Sequence, residues 1–386
     1  MEPALALDEK KGVAGKPAAK AREWTNKYNS FNSDKVLLWR ENMEAIVRGE
    51  FLPPVTVDTD PTNLCNYDCV WCNSKGFRRK NPSSMTEEHL ITLADFYKDW
   101  GVRSTCIAGG GEPLMNPGLV NLIYRLEENG VQSGIITNGS LITNDHINAI
   151  AACSRWCGFS MDAGTSEVYM KLKNVRNRKV FYEILGNIER LANKRDRLGK
   201  NSKLDIAYKF LIHPENALTI YQAAKTARAI GVNDFHMRPV GWDNIEATKG
   251  KSPLDFSKVK EEAEEQIAMA QELETETFHV YGITHKFGEK WERKIEFEKC
   301  LATPLLATFG ADGKCHLCFD MRGREDLILC SHHPDPYEIK RVWGSEHHKK
   351  LIERIDPRTC PRCTFGPYNR AIEEVIIKDK MCRYFP

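Results

Sequence analysis

Neither sign of charge dominates this chain: across 386 residues, 55 Lys and Arg stand against 53 Asp and Glu. That balance argues against a general electrostatic grip on nucleic acid or on an anionic membrane. No stretch approaches the roughly 18 apolar residues that a membrane helix needs. The start, Met1-Glu-Pro-Ala, has no basic region followed by an apolar run, so no secretory signal is read and a cytoplasmic protein is expected. Without such a signal, the thirteen cysteines read as intracellular ligands and free thiols rather than a disulfide framework.

The length suits one large α/β unit with an appendage. Residues 1–22 are Ala-, Lys- and Gly-rich with little apolar content and read as a disordered leader. Residues 23–54 form an N-terminal segment whose helical spacing over 34–50 predicts a lid helix. From 55 to 250, strand-like and helix-like stretches alternate, with strands expected at 55–60, 104–108, 133–137, 156–161, 204–212 and 234–240. Such alternation implies a parallel sheet with right-handed crossovers. Eight units close a full barrel; six predict an open, partial (β/α)6 TIM-like barrel, with a doubly wound sheet as the alternative. Residues 251–275 read as a charged connecting helix, and 276–386 as a C-terminal module with seven of the thirteen cysteines. Two basic runs, 77–80 and 171–179, read first as solvated faces, the second also as a surface for an anionic substrate. His332-His333 and His347-His348 sit among Pro and Lys and read as solvated.

Just past the first strand, Cys65, Cys69 and Cys72 stand at C-x3-C-x2-C spacing, with Tyr67 and Trp71 between them. Thiolates select zinc, copper(I) or iron–sulfur clusters. A structural zinc site wants a fourth ligand nearby. A [4Fe–4S] cube held by three thiolates leaves one iron open for a ligand. The spacing, with an aromatic residue before the third cysteine, resembles the cluster motif of the radical SAM superfamily. Five later stretches resemble that family's segments in the expected order, one of them Ile212-His-Pro-Glu-Asn216 after the fifth strand, where the family's adenine contacts are mostly backbone. Gly110, Gly111 and Glu112 match the loop that holds the methionine amino group. Asn138 lies in a tight turn after the third strand. Ser160 and Asp162 alternate at the end of the fourth, so that both can face the barrel interior as a ribose-binding pair. Arg238, on the sixth, can fork onto a carboxylate of cofactor or substrate, or form a structural ion pair.

In the C-terminal module, Cys300, Gly313 and Cys318 resemble the opening of the SPASM and twitch extensions of radical SAM enzymes, which hold auxiliary clusters. The resemblance implies one auxiliary [4Fe–4S] cluster on Cys300, Cys318, Cys360 and Cys363, with structural zinc as the rival. Cys315 fits the same pattern through Gly310; Cys318 is preferred because it leaves Asp312-Gly313 as a hairpin turn. No cysteine follows Cys363 until Cys382, so the full SPASM pattern fails and the one-cluster twitch type fits. Cys330 and Cys382 stay unassigned, and Cys106, Cys153 and Cys157 read as core thiols.

The resemblance implies an enzyme that takes an electron from a flavodoxin- or ferredoxin-like donor, cleaves S-adenosyl-L-methionine reductively to a 5′-deoxyadenosyl radical and removes a substrate hydrogen atom. The expected outcome is oxidation or epimerisation of a sugar-, aminocyclitol- or nucleoside-like small molecule. A peptide substrate is the alternative. A non-enzymatic, zinc-stabilised binding protein is the reading from another class.

Overall fold

The computed structural model describes residues 33–240, 254–282, 291, 294–360 and 363–378; the expected leader and Cys382 lie outside them. Six strands follow the expected order: β1 (Thr56–Thr59), β2 (Ser104–Ile107), β3 (Gln132–Thr137), β4 (Ser154–Ser160), β5 (Asp205–Ile212) and β6 (Asp234–Pro239). Each pairs with the next in parallel. Between them lie α3 (Glu87–Trp100), α4 (Leu119–Glu128), α5 (Asn144–Cys153), α7 (Lys179–Leu198) and α8 (Ile220–Ala229), after the shorter α1 (Arg40–Val47) and α2 (Lys75–Lys80); α6 (Ser166–Lys173) precedes α7. Local signals set the boundaries. The Thr86 hydroxyl accepts from the His89 N–H to start α3, and Gly101 at φ 93° ends it.

The sheet runs past six strands at both edges. Residues Lys260–Gln271 form α9, which packs on α8 and leads to β7 (His279–Gly282), parallel to β6. The helix expected as a connector is thus a crossover helix. Ala263, Ile267, Ala268 and Ala270 are its buried face, a stripe the surrounding glutamates hide in the sequence. At the other edge β8 (Leu306–Phe309) pairs in parallel with β1 and forms an antiparallel hairpin with β9 (Lys314–His316), to which β10 (Ile328–Ser331) adds. The order is β10-β9-β8-β1-β2-β3-β4-β5-β6-β7, an open partial barrel. The cysteine-rich segment therefore extends the barrel sheet.

The α1 segment is no lid on the barrel. Met43 packs with Ala302, Leu305 and Ile372, and Trp39 stacks on Tyr368 at 5.8 Å, so it covers the C-terminal segment beside Cys300.

Alternation along the strands separates two environments. On β1 and β2, Val57, Thr59, Thr105 and Ile107 are buried under the helices, while Thr56, Asp58, Ser104 and Cys106 on the opposite face keep partial access to water. Register places Asp58 beside Cys106 and Thr308, Trp156 beside Gly134, Ser160 beside Lys209, and Lys209 beside His236. Neighbours in register share a face, so these residues line the concave side. A closed barrel of this kind fills that space with Val, Ile and Leu; here it is lined by polar and charged side chains that are partly exposed.

Candidate active site

The cysteine loop follows β1 and is held from three sides. Thr62 and Leu64 carbonyls accept from the Gly111 and Glu112 N–H groups at 3.0 and 2.8 Å. A Cβ on Gly111 would overlap the Leu64 carbonyl, and one on Gly110 the Asn63 amide. What the glycines admit so closely is the backbone leading into Cys65. Glu112 is buried: its Oε1 accepts from Thr137 Oγ1 (2.5 Å) and Leu114 N (3.1 Å), and its Oε2 from Asn138 N (2.7 Å). Burial raises its carboxyl above the usual range, and these donors restrain the rise. Asn138 donates to Asn66 Oδ1 at 2.9 Å, tying the turn after β3 to the cysteine loop.

The second side is α2. Asp68 accepts from Lys75 (2.7 Å), Arg78 (3.2 Å) and Arg79 (3.1 Å), and Arg78 also reaches the Tyr67 carbonyl at 2.8 Å. The basic run 77–80 thus folds back on the loop instead of standing wholly in solvent. The third side is α6, where Lys173 is buried on Asp162 (2.5 Å) and under Trp71, its Nζ 5.5 Å from the ring centroid. Burial opposes that ammonium, and Asp162 and Cys69 more than offset it, so its pKa lies above the usual lysine value. Lys173 was missed by treating 171–179 as one surface. Only its place on the inner face of α6 separates it from exposed Lys171, which pairs with Glu215.

Asp162 departs from the expected strand-face pair. β4 ends at Ser160, and Asp162 follows at φ 56° with its carboxylate turned to Lys173 and the Leu211 N–H (2.7 Å). Ser160 stays on the concave face, half-buried, and Arg238 lies on the same side of β6. Tyr67 is buried against Tyr169, and Trp71 is flanked by Lys173 and His213, with ring centroids 5.7 Å apart in the latter pair.

Cys65, Cys69 and Cys72 are free, half-buried thiols on this one loop. Burial lifts Cys69 to about 11, with Lys173 pulling it down, and the Tyr67 N–H points at the Cys65 sulfur at 3.4 Å. Among the described residues, no three His, Cys, Asp or Glu are grouped for a single metal ion.

In the C-terminal segment, Cys300, Cys318, Cys360 and Cys363 line one small apolar pocket, with Phe297, Met321 and Ile355 in its wall. Asn369 Nδ2 lies 3.7 Å from the Cys363 sulfur. Cys315 is elsewhere, fully buried on β9 in register with Cys330 of β10. Soft sulfurs in a dry pocket, with N–H groups aimed at them, fit an iron–sulfur cluster. Cys153 and Cys157 are buried as expected; Cys106 is not a core thiol but faces the concave side. Two histidines expected in solvent are buried. His332 meets His89 at 2.9 Å, and His348 accepts from the Gly344 N–H at 3.1 Å. In each pair the neighbouring histidine, His333 or His347, stays exposed.

The concave wall carries its own electrostatics. Trp156 lies over Gly134 and Lys209 over Gly158, where a Cβ would collide with either side chain. Lys209 Nζ is 5.3 Å from the Trp156 ring and 3.3 Å from His236 Nδ1. Burial lowers Lys209 to about 8 and raises Asp58 to about 7, the latter against the pull of Arg322.

Residues 59–200 match the profile of the radical SAM superfamily. The chain is 26% identical over 275 residues to a GTP 3′,8-cyclase of Staphylococcus saprophyticus, spanning 67% of this chain and 76% of that one. It is 29% identical over 142 residues to an S-adenosylmethionine-dependent nucleotide dehydratase of a Thermoplasmatales archaeon, spanning 37% of this chain and 48%, about half, of that one. Among solved structures, Streptococcus suis SuiB bound to its precursor peptide SuiA overlays 93% of this chain and 82% of its own, with a TM-score of 0.61 at 18% identity. Native anSMEcpe with bound AdoMet overlays 78% of this chain and 83% of its own, with a TM-score of 0.53 at 15% identity.

Proposed function

We propose that this chain, which carries a radical SAM domain and works with a [4Fe–4S] cluster, S-adenosylmethionine and an auxiliary cluster, removes a hydrogen atom from a small polar molecule of nucleoside or sugar type. The observation that carries this reading is the concave wall, where Asp58, Cys106, Trp156, Lys209 and Arg238 keep access to water while the opposite strand faces are sealed. A wall lined this way suits a compact, hydrogen-bonding ligand. Two sequence relatives are named for reactions on nucleotides, which supports the same class.

When bound, the cluster and S-adenosylmethionine supply a 5′-deoxyadenosyl radical. The chain's share is to hold and to orient. Cys65, Cys69 and Cys72 hold the cluster, and Cys300, Cys318, Cys360 and Cys363 the auxiliary one. Gly110, Gly111 and Glu112 brace the cysteine loop. Asn138, Ser160 and Arg238 would hold the cofactor, and Glu112, Asp162, Tyr67 and Trp71 would support the loops around it. Lys209, His236 and Asp58 orient the substrate through hydrogen bonds that only a polar ligand can answer. An oxidation or an epimerisation follows from the same hydrogen abstraction, and a flavodoxin or ferredoxin is the expected electron donor. Among the described residues no helix is long and apolar enough to cross a membrane.

A peptide is the second reading, supported by the overlay on SuiB, a likeness of fold. Anaerobic protein with reductant and S-adenosylmethionine is to be challenged with nucleotides, sugars and short peptides, scoring 5′-deoxyadenosine. Stimulation by a nucleotide or sugar supports the first reading. Stimulation by peptides alone replaces it with the second, and no release under any condition removes both.

A further inference from the structure

Helix α6 grips the cysteine loop at three successive points. Tyr169 donates its hydroxyl to that of Tyr67 at 3.4 Å. One turn on, the Leu172 carbonyl accepts from the Val70 N–H at 3.1 Å. Next to it, the Lys173 side chain, 3% exposed, passes under Trp71 to Asp162, whose side chain is 2% exposed. Val70 and Trp71 are the two residues between Cys69 and Cys72, so the end of α6 and its cation contact the stretch that joins these two thiols.

Lys173 is not needed there for packing alone. A buried lysine costs more than a methionine of similar length unless its charge is used. Trp71 and Tyr169 exclude water from the site, and little solvent screens the ammonium. Its position is fixed by Asp162, which is itself held by the Leu211 N–H.

We propose that Lys173 is a positioning residue for the cluster on Cys65, Cys69 and Cys72, its fixed ammonium and the Asp162 counter-charge together setting that cluster's reduction potential. This rests on the cluster reading above. Reduction adds one electron to the cluster and breaks no bond in the protein. A nearby cation stabilises the added negative charge and raises the midpoint, and a nearby carboxylate lowers it. The two members of this ion pair therefore act in opposite directions.

The test is an EPR-monitored redox titration of the full chain, reconstituted anaerobically without S-adenosylmethionine. The relevant signal is the one lost when Cys65, Cys69 and Cys72 are all replaced by Ala. Lys173→Met is expected to shift the reduced-to-oxidised ratio at a given potential about tenfold towards oxidised, a midpoint lower by about 59 mV for a one-electron couple. Asp162→Asn is expected to shift it the other way, and Asn tolerates the positive φ at that position. Lys173→Arg keeps the charge and should stay near the parent value. A purely structural role would lower iron content or broaden the signal in both variants without opposite shifts. Unchanged midpoints, or shifts of the same sign, overturn the proposal. If Lys173→Met fails to hold iron, Asp162→Asn against Lys173→Arg still decides the sign. A parent protein that takes up no iron on this loop sinks the cluster reading itself, and iron analysis before the titration shows which of the two has failed.

Discussion

Arg322 and Asp60 form a buried, two-pronged ion pair between the C-terminal segment and the end of β1, with Nη2 2.7 Å from Oδ1 and Nε on the other oxygen. Asp60 is fully buried and Arg322 is 9% exposed. They are 262 residues apart in the chain, and Asp60 stands five residues before Cys65. One guanidinium thus ties the segment that carries the second cysteine group to the strand that positions the first. Arg322→Ala strands a carboxylate in the interior, and the expected loss is about 3–5 kcal/mol. The urea midpoint of the variant against the parent measures it. Arg322→Lys should recover only part, since an ammonium cannot fork onto both oxygens.

Asp58 gives the protein a pH dependence of definite sign. Burial raises its pKa to about 7, opposed by Arg322 and assisted by Asp60 and Asp320, while Cys106 hydrogen-bonds to it. A carboxyl whose folded pKa is raised binds more protons when folded. Its stabilising contribution is full below about pH 4 and fades as pH rises through 7. Thermal midpoints should therefore fall between pH 5 and pH 8 more steeply in the parent than in Asp58→Asn. Equal slopes would show that Asp58 ionises in the folded chain as it does in water.

Two glycines should respond oppositely to alanine. At Gly111 a Cβ meets the Leu64 carbonyl, and neither backbone can yield without moving Cys65. Gly111→Ala should lose the iron of the first cysteine group. Gly186, inside α7, has open space around its would-be Cβ. Gly186→Ala should raise stability by about 0.5–1 kcal/mol through helix propensity. Iron analysis and denaturant melts on both variants check the pair.

Cys318, and not Cys315, shares a pocket with Cys300, Cys360 and Cys363, and this favours it as the fourth ligand of the proposed auxiliary cluster. Cys318→Ser should reduce iron from about eight per chain to about four, as two four-iron clusters become one. Cys315→Ser, which changes a thiol outside that pocket, should leave iron content unchanged. The reverse outcome would move the ligand set to Cys315.

Much of this was legible in the chain itself, because the signals are local. The C-x3-C-x2-C spacing, the glycines before Glu112, the Asp312-Gly313 turn and the alternation of strands and helices each depend on residues a few positions apart. Hidden signals were those diluted by their neighbours. The buried stripe of α9 is set among glutamates, Lys173 sits in a basic run, and His332 and His348 stand beside exposed twins.

The sequence by itself determined which chemistry is available: soft thiols in two groups, a glycine-lined loop beside one of them, and six βα units to support it. Only the tertiary structure decided which groups act together. It set β8 beside β1, turned Cys318 and not Cys315 towards Cys300, Cys360 and Cys363, and brought Lys173 against Trp71 of the cysteine loop. The reason is physical. Spacing along a chain constrains neighbours within a turn or a strand, whereas proximity and burial between distant segments are settled by how whole elements pack and exclude water.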